Sequence, residues 1–194
     1  MWPGQSIFWV LFSFWTGISA ETMASAKRLT EILRVYLVST RDDVVDTDSL
    51  AFKLRNLKTN EVMKILTITE ETHGRSVLHI AAQFEHTGIT QIIMTALPQQ
   101  QRIELLTHWD CTPLHTAAMC GKQKASDELL CHLTAWQQIH VLSAFGGTGF
   151  QPAAQAARHK HPHHSAMLQH RLISLLYGKI MIVVSSHYVF DRMR

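Results

Sequence analysis

The chain has 194 residues, 46% of them hydrophobic and 17% charged, with a formal net charge of +3 at pH 7. That composition excludes an intrinsically disordered chain, because there is enough apolar surface to offset the entropy of ordering it. The small charge, with no basic stripe interleaved with aromatics, excludes the electrostatic footprint of a nucleic-acid binder.

In chain order, residues 1–26 form a hydrophobic leader. Met1 to Ala20 carries no charged side chain and is dense in Ile7, Phe8, Trp9, Val10, Leu11, Phe12, Phe14 and Trp15. The dense part is shorter than the roughly 20 residues a spanning helix needs. Ile18-Ser19-Ala20 suits a signal-peptide cleavage site, while the basic n-region of a signal peptide is missing. Lys27, Arg28 and Arg34 follow the run, so an uncleaved anchor would leave the remainder on the cytoplasmic side. Cleaved signal, anchor and inert N-terminus stay open as three readings.

Residues 27–56 read as an N-terminal helical cap. Leu29, Ile32, Leu33 and Tyr36 fall on one side of a first helix. An acidic turn, Asp42-Asp43-Val-Val-Asp46-Thr-Asp48, lacks the glycine and terminal glutamate of a calcium loop. Asp48 or Ser49 then caps a helix holding Leu50, Phe52, Leu54 and Leu57.

Residues 57–177 repeat. Gly74-Arg-Ser-Val-Leu-His-Ile-Ala-Ala82, Asp110-Cys-Thr-Pro-Leu-His-Thr-Ala-Ala118 and Gly149-Phe-Gln-Pro-Ala-Ala-Gln-Ala-Ala157 align without gaps, with starts 36 and 39 residues apart. A second phase runs in step: Leu57 and Leu66, Leu97 and Leu106, and Leu133 and Leu142 stand nine apart around polar stretches. Thr112 sits at an N-cap position and Pro113 at the first helical position, where its missing N–H costs nothing. Ser76 and Val77 make a weaker version of that start. Leu78 and Leu114 point inward, and the pairs Ala81-Ala82, Ala117-Ala118 and Ala156-Ala157 let neighbouring helices approach closely. Gly121 closes the first helix of the second unit. A second helix returns in each unit, over Thr90 to Leu97, Ala125 to Leu133 and Ser165 to Leu176, with apolar faces such as Ile92, Ile93 and Leu97. Pro98 starts a short extra helix through Leu106.

Asp110 to Gly121 resembles the ankyrin repeat closely, Gly74 to Ala82 resembles it well, and Gly149 to Ala157 is degenerate, with Ala153 and Ala154 in place of the motif's Leu and His. The likeness covers about two thirds of the chain. It implies an all-α fold: an ankyrin-type helical repeat solenoid with short extra helices between repeats. It also implies a protein–protein scaffold or adaptor that binds partners through loop tips and the concave face of its first helices. Stacking is needed because a single unit cannot bury its apolar face alone. His79 and His115 take the place of the motif's histidine, bonded to neighbouring backbone and hydroxyl groups.

The expected partner-binding residues are therefore Thr72, His73 and Arg75 in the first loop, His108, Trp109 and Asp110 in the second, and Phe145 to Thr148 in the third. Trp109 has two readings, an exposed anchor or a filler of the core beneath the second loop. The expected partner is another protein, with no nucleic acid, no small-molecule substrate, no cofactor and no enzymatic activity. The expected location is cytoplasmic, with anchoring through residues 1–20 and secretion as open alternatives. A competing expectation is a membrane-tethered or secreted fragment of a larger receptor- or channel-like protein, with the array as its regulatory part.

Other features read as structural. His159, His161, His163, His164 and His170 offer imidazoles suited to transition metals, but no fixed ligand spacing is encoded, and the reading is a polar loop with no metal site. Cys111, Cys120 and Cys131 lack Cys-x-x-Cys spacing and read as buried or half-buried free thiols. Gly146-Gly147-Thr148-Gly149 lacks the Gly-Lys-Ser/Thr of a phosphate loop and reads as a hairpin loop. Residues 178–194 do not continue the repeat; Ile180 to Phe190 is β-prone and reads as a strand, a tail packed on the last unit or a poorly ordered end, while Lys179 and His187 interrupt it as a membrane span.

Overall fold

The computed structural model describes residues 51–52, 54–55, 57–67 and 75–192, with side chains up to residue 180. The hydrophobic leader, all of the expected cap before residue 51, and Thr72, His73 and Gly74 lie outside the described residues. The described elements are all helical: α1 (Thr59–Leu66), α2 (Val77–Phe84), α3 (Thr87–Ala96), α4 (Gln99–Thr107), α5 (Pro113–Met119), α6 (Gln123–Cys131), α7 (Ala135–Ser143), α8 (Pro152–Arg158) and α9 (Pro162–Arg192).

Local chemistry fixes most of these starts. In α1 the Lys58 backbone N–H donates to Glu61 Oε2 at 3.0 Å, and Val62, Ile65 and Leu66 share the buried face at helical spacing. Pro113, Pro152 and Pro162 stand where α5, α8 and α9 begin. Thr112 Oγ1 accepts from the His115 backbone N–H at 3.4 Å. Thr134 and Gln137 cap α7 reciprocally, at 3.3 and 3.0 Å. Leu97 is extended, with φ −102° and ψ 141°, as the residue before Pro98 must be, and α3 ends there.

The short helices pack on their counterparts in the following unit. α2 lies against α5 and α5 against α8; α1 lies against α4 and α4 against α7; α3 lies against α6. The alanines make the close approach: Ala81, Ala82, Ala117, Ala118 and Ala156 have no exposed surface. Ala157 does not join them, since it is exposed at the rim of α8. Of the leucines spaced nine apart, Leu66, Leu97, Leu106, Leu133 and Leu142 are buried and Leu57 packs at the edge of the same core. Each pair brackets one extra helix, α1, α4 or α7.

Two expectations are corrected. The tail beyond residue 177 forms no strand: α9 continues through Gly178 to Arg192. Leu168, with Met167, Leu172 and Leu175 beside it, seats this helix on the core. An established helix extends at a cost of only a few tenths of a kcal/mol per β-branched residue. The cysteines are also more accessible than expected, with Cys111 and Cys131 exposed and only Cys120 half-buried; all three are free thiols. Among the described residues, no helix is long and apolar enough to cross a membrane.

Candidate interaction surface

The beginnings of α2 and α5 share one device. Ser76 N–H donates to His79 Nδ1 at 3.2 Å, and Ser76 Oγ stands 2.8 Å from the same nitrogen. His79 Nε2 lies 2.6 Å from the carbonyl oxygen of Cys111, in the next unit. A carbonyl only accepts, so the ring proton sits on Nε2 and Nδ1 is the acceptor for the amide. His115 repeats this, with Thr112 N–H at 3.3 Å, Thr112 Oγ1 at 2.8 Å, and Phe150 O at 3.0 Å from Nε2. Each imidazole thus caps its own helix and holds the loop of the following unit.

Burial pushes the His79 pKa from 6.5 down to about 4, helped by the nearby Arg75 charge and opposed by the bond to Cys111. A second ring proton would have to face the Ser76 N–H, which is the local form of that penalty. Burial lowers His115 in the same direction.

Beside His79 lies a hollow of about 360 Å³ lined by Arg75, His79, Gln83, Trp109, Cys111, Thr116, Met119 and Cys120. Arg75 reaches over one wall and donates from Nη1 to Gln83 Oε1 at 2.6 Å. Trp109 forms another wall. Its ring meets His79 edge-on with centroids 4.7 Å apart and His108 edge-on at 5.0 Å. Trp109 is half-buried and packs against the core, with the rest of its ring open to the hollow. Burial pushes the Cys111 and Cys120 thiols above their ordinary range.

His108, Asp110, Phe145 and Thr148 are all exposed. The second and third loops meet, because Gly147 N–H donates to Asp110 O at 3.1 Å. The third loop closes on itself through Gly146 N–H to Phe150 O at 2.9 Å and Gly149 N–H to Gly146 O at 2.8 Å. Thr148 Oγ1 donates to Gln155 Oε1 at 3.3 Å, and Phe145 is 69% exposed. Of the expected contact residues, Arg75 and Trp109 share the hollow, Asp110 and the third loop share a bond, and Thr72 and His73 are outside the described residues. Cys111, Gln83 and Met119 were missed as lining residues. Their signal was available, because they flank or belong to the short helices whose concave face the resemblance implicates.

The histidine-rich stretch is less of a loop than expected. His161 Nε2 donates to Met119 O at 3.1 Å, and His164 is buried on α9 with Nε2 2.9 Å from Ser126 Oγ. These two rings serve packing against α5 and α6, while His159, His163 and His170 face outward. The chain matches no family model, and no curated protein matches it.

Proposed function

We propose that the protein is a non-catalytic scaffold of the ankyrin-repeat type, built as a short solenoid of three helix triplets that binds a partner protein along its loops and the adjoining hollow. The observation that carries this reading is the hollow between α2 and α5, where the Arg75 guanidinium, the half-exposed Trp109 ring and Met119 stand together beside loops bridged from Asp110 to Gly147. An aromatic and an arginine at the centre of a concave, partly apolar surface are the residue types that dominate protein interfaces. The pairing of α2, α5 and α8, and of α1, α4 and α7, supports the stacked arrangement. The absence of catalysis in this reading rests on the chemistry of the hollow. Both nitrogens of His79 are engaged, and partial burial pushes the Cys111 and Cys120 thiols up, away from the thiolate a nucleophile needs, so the groups present serve recognition better than bond-making.

The test is Trp109→Ala compared with Phe145→Ala, each assayed for capture of partners from the native source and for thermal unfolding. Trp109→Ala is expected to weaken capture at least about tenfold, as a hot-spot residue does, in a chain that still folds but melts lower, because the ring also packs on the core. Collapse of the fold with Trp109→Ala, or capture indifferent to both changes, would remove the interface from this surface. A second reading, tethering to a membrane, rests on the uncharged run from Met1 to Ala20. Fractionation of the full chain with and without residues 1–20 decides it, since a full-length chain that stays out of the membrane fraction counts against tethering.

A further inference from the structure

The last turn of α6 carries a cluster that the interaction surface does not use. Glu128, Cys131 and His132 stand at i, i+3 and i+4, the spacing that brings side chains together on one helix face. One donor atom from each, a carboxylate oxygen, Sγ and an imidazole nitrogen, lies within 4.8 Å of the other two. Glu128 Oε1 and His132 Nε2 are already 2.8 Å apart, both half-buried. Cys131 is exposed, its Sγ 3.2 Å from the Glu128 carbonyl. Arg102 Nη1 donates to the His132 carbonyl at 3.0 Å and so holds the backbone at this helix end.

We propose that Glu128, Cys131 and His132 form a surface site for a zinc-class divalent ion, with the fourth position left to water or to a ligand from a partner. The donor chemistry selects the class. Thiolate and imidazole suit zinc and cobalt(II), whereas magnesium and calcium take oxygen. Bond lengths of about 2.3 Å to sulfur and about 2.0 Å to nitrogen put tetrahedral donors roughly 3.5 Å apart. Sulfur therefore needs to move in by about 1 Å at most, while the Glu128–His132 pair, now 2.8 Å apart, opens by roughly 0.7 Å to admit the ion. The site also lies at a helix C-terminus, where the backbone carbonyls favour a cation. Glu128 and a Cys131 thiolate would together neutralise a divalent ion.

Proton balance is simple. The Cys131 thiol gives up its proton to solvent as sulfur binds the ion. The His132 imidazole binds as the neutral tautomer, with its proton moved to Nδ1, and Glu128 exchanges the imidazole N–H for the metal. In the free protein, burial and the Glu128 charge push the Cys131 thiol up, while Arg171 opposes them.

The test is cobalt(II) titration of the full chain, reduced and free of added thiols, followed by the near-ultraviolet sulfur-to-cobalt charge-transfer band. The expected result is a saturable band that zinc abolishes, that vanishes in Cys131→Ser, and that needs at least about tenfold more cobalt in His132→Gln or Glu128→Gln. It should persist in the Cys111→Ser/Cys120→Ser double variant and in the His159→Gln/His163→Gln/His170→Gln triple variant. Circular dichroism checks that each variant is folded; if Cys131→Ser is not, the His132→Gln titration decides. No band in the wild type, a band surviving in folded Cys131→Ser, or His132→Gln binding as tightly as wild type overturns the site. So does binding that is lost with the other cysteines or with the exposed histidines.

Discussion

The second and third units differ most where their sequences were most alike in outline. In the second, Leu114 and His115 open α5, and both are buried. In the third, Ala153 and Ala154 stand at those positions of α8, both half-buried. The second unit turns out of its first helix through Gly121, with φ +70°, whereas the third makes the same left-handed turn with Lys160, at φ +65°. The third unit has lost the leucine, the histidine and the glycine, and its first helix still forms. What it keeps are the N-terminal proline, one fully buried alanine, Ala156, and the long helix α9, which covers α8 and α7. The comparison teaches that α8 leans most on α9, while α5, packed on α2 and α8, keeps the buried leucine and histidine that α8 lacks.

The strongest way to break that contrast is to give the second unit the third unit's residue. Leu114→Ala removes a fully buried side chain of α5, the helix that packs on both α2 and α8, and should cost about 2–5 kcal/mol in denaturant unfolding. A loss under about 1 kcal/mol would mean that α5, like α8, is carried by its neighbours.

A comparable effect comes from acid, felt through buried histidines in all three units, since burial lowers His79, His115 and His164 alike. Unfolded, the His79 imidazole takes up a proton near pH 6.5; folded, it does so only near pH 4. Between those values the unfolded chain holds the extra proton. The stability contributed by neutral His79 is therefore complete above about pH 6.5 and is lost as pH falls toward 4, by about 3 kcal/mol in all. His115 adds in the same direction. The measurement is the urea midpoint against pH. His79→Gln should flatten the curve between pH 6.5 and 4, and an unchanged slope would show that the ring is not held neutral.

The middle of the fold was readable because its signals are local. Thr112-Pro113 and Gly121 mark the ends of α5 by backbone chemistry alone, and Pro98 marks the start of α4. The leucines nine residues apart located α1, α4 and α7 because each must be pinned to the core at both ends. The end of α9 was ambiguous for the same reason. Ile180-Met-Ile-Val-Val looks like a strand when judged by propensity, yet a helix already seated through Leu168 and Leu172 extends more cheaply than an unpaired strand forms. In the candidate surface, Arg75 and Trp109 could be picked from their loops, but the bond from Gly147 to Asp110 joins residues far apart in sequence and has no local signature. His161 and His164 looked like a polar loop because composition says nothing of which rings turn inward. Glu128, Cys131 and His132 did carry a signal, helical spacing, but it is not the Cys-x-x-Cys spacing usually sought.

The smallest effect is the most discriminating, because it concerns the one turn that both units make with different residues. An L-residue in the left-handed region costs roughly 1 kcal/mol relative to glycine. At Gly121 there is a second penalty, since an added Cβ would stand 2.6 Å from His161 Nδ1. That ring is held by its bond to Met119 O and cannot yield without losing it. Gly121→Ala should therefore destabilise by about 2 kcal/mol, combining backbone strain with the displaced imidazole. Lys160→Gly should do the reverse, raising stability by about 0.5–1 kcal/mol, because the strain at φ +65° is relieved and the lysine is exposed. Paired thermal melts of the two variants read the contrast directly. If Lys160→Gly is neutral or harmful, the third unit does not store strain at this turn, and loss of its glycine reflects a looser turn rather than a tolerated cost.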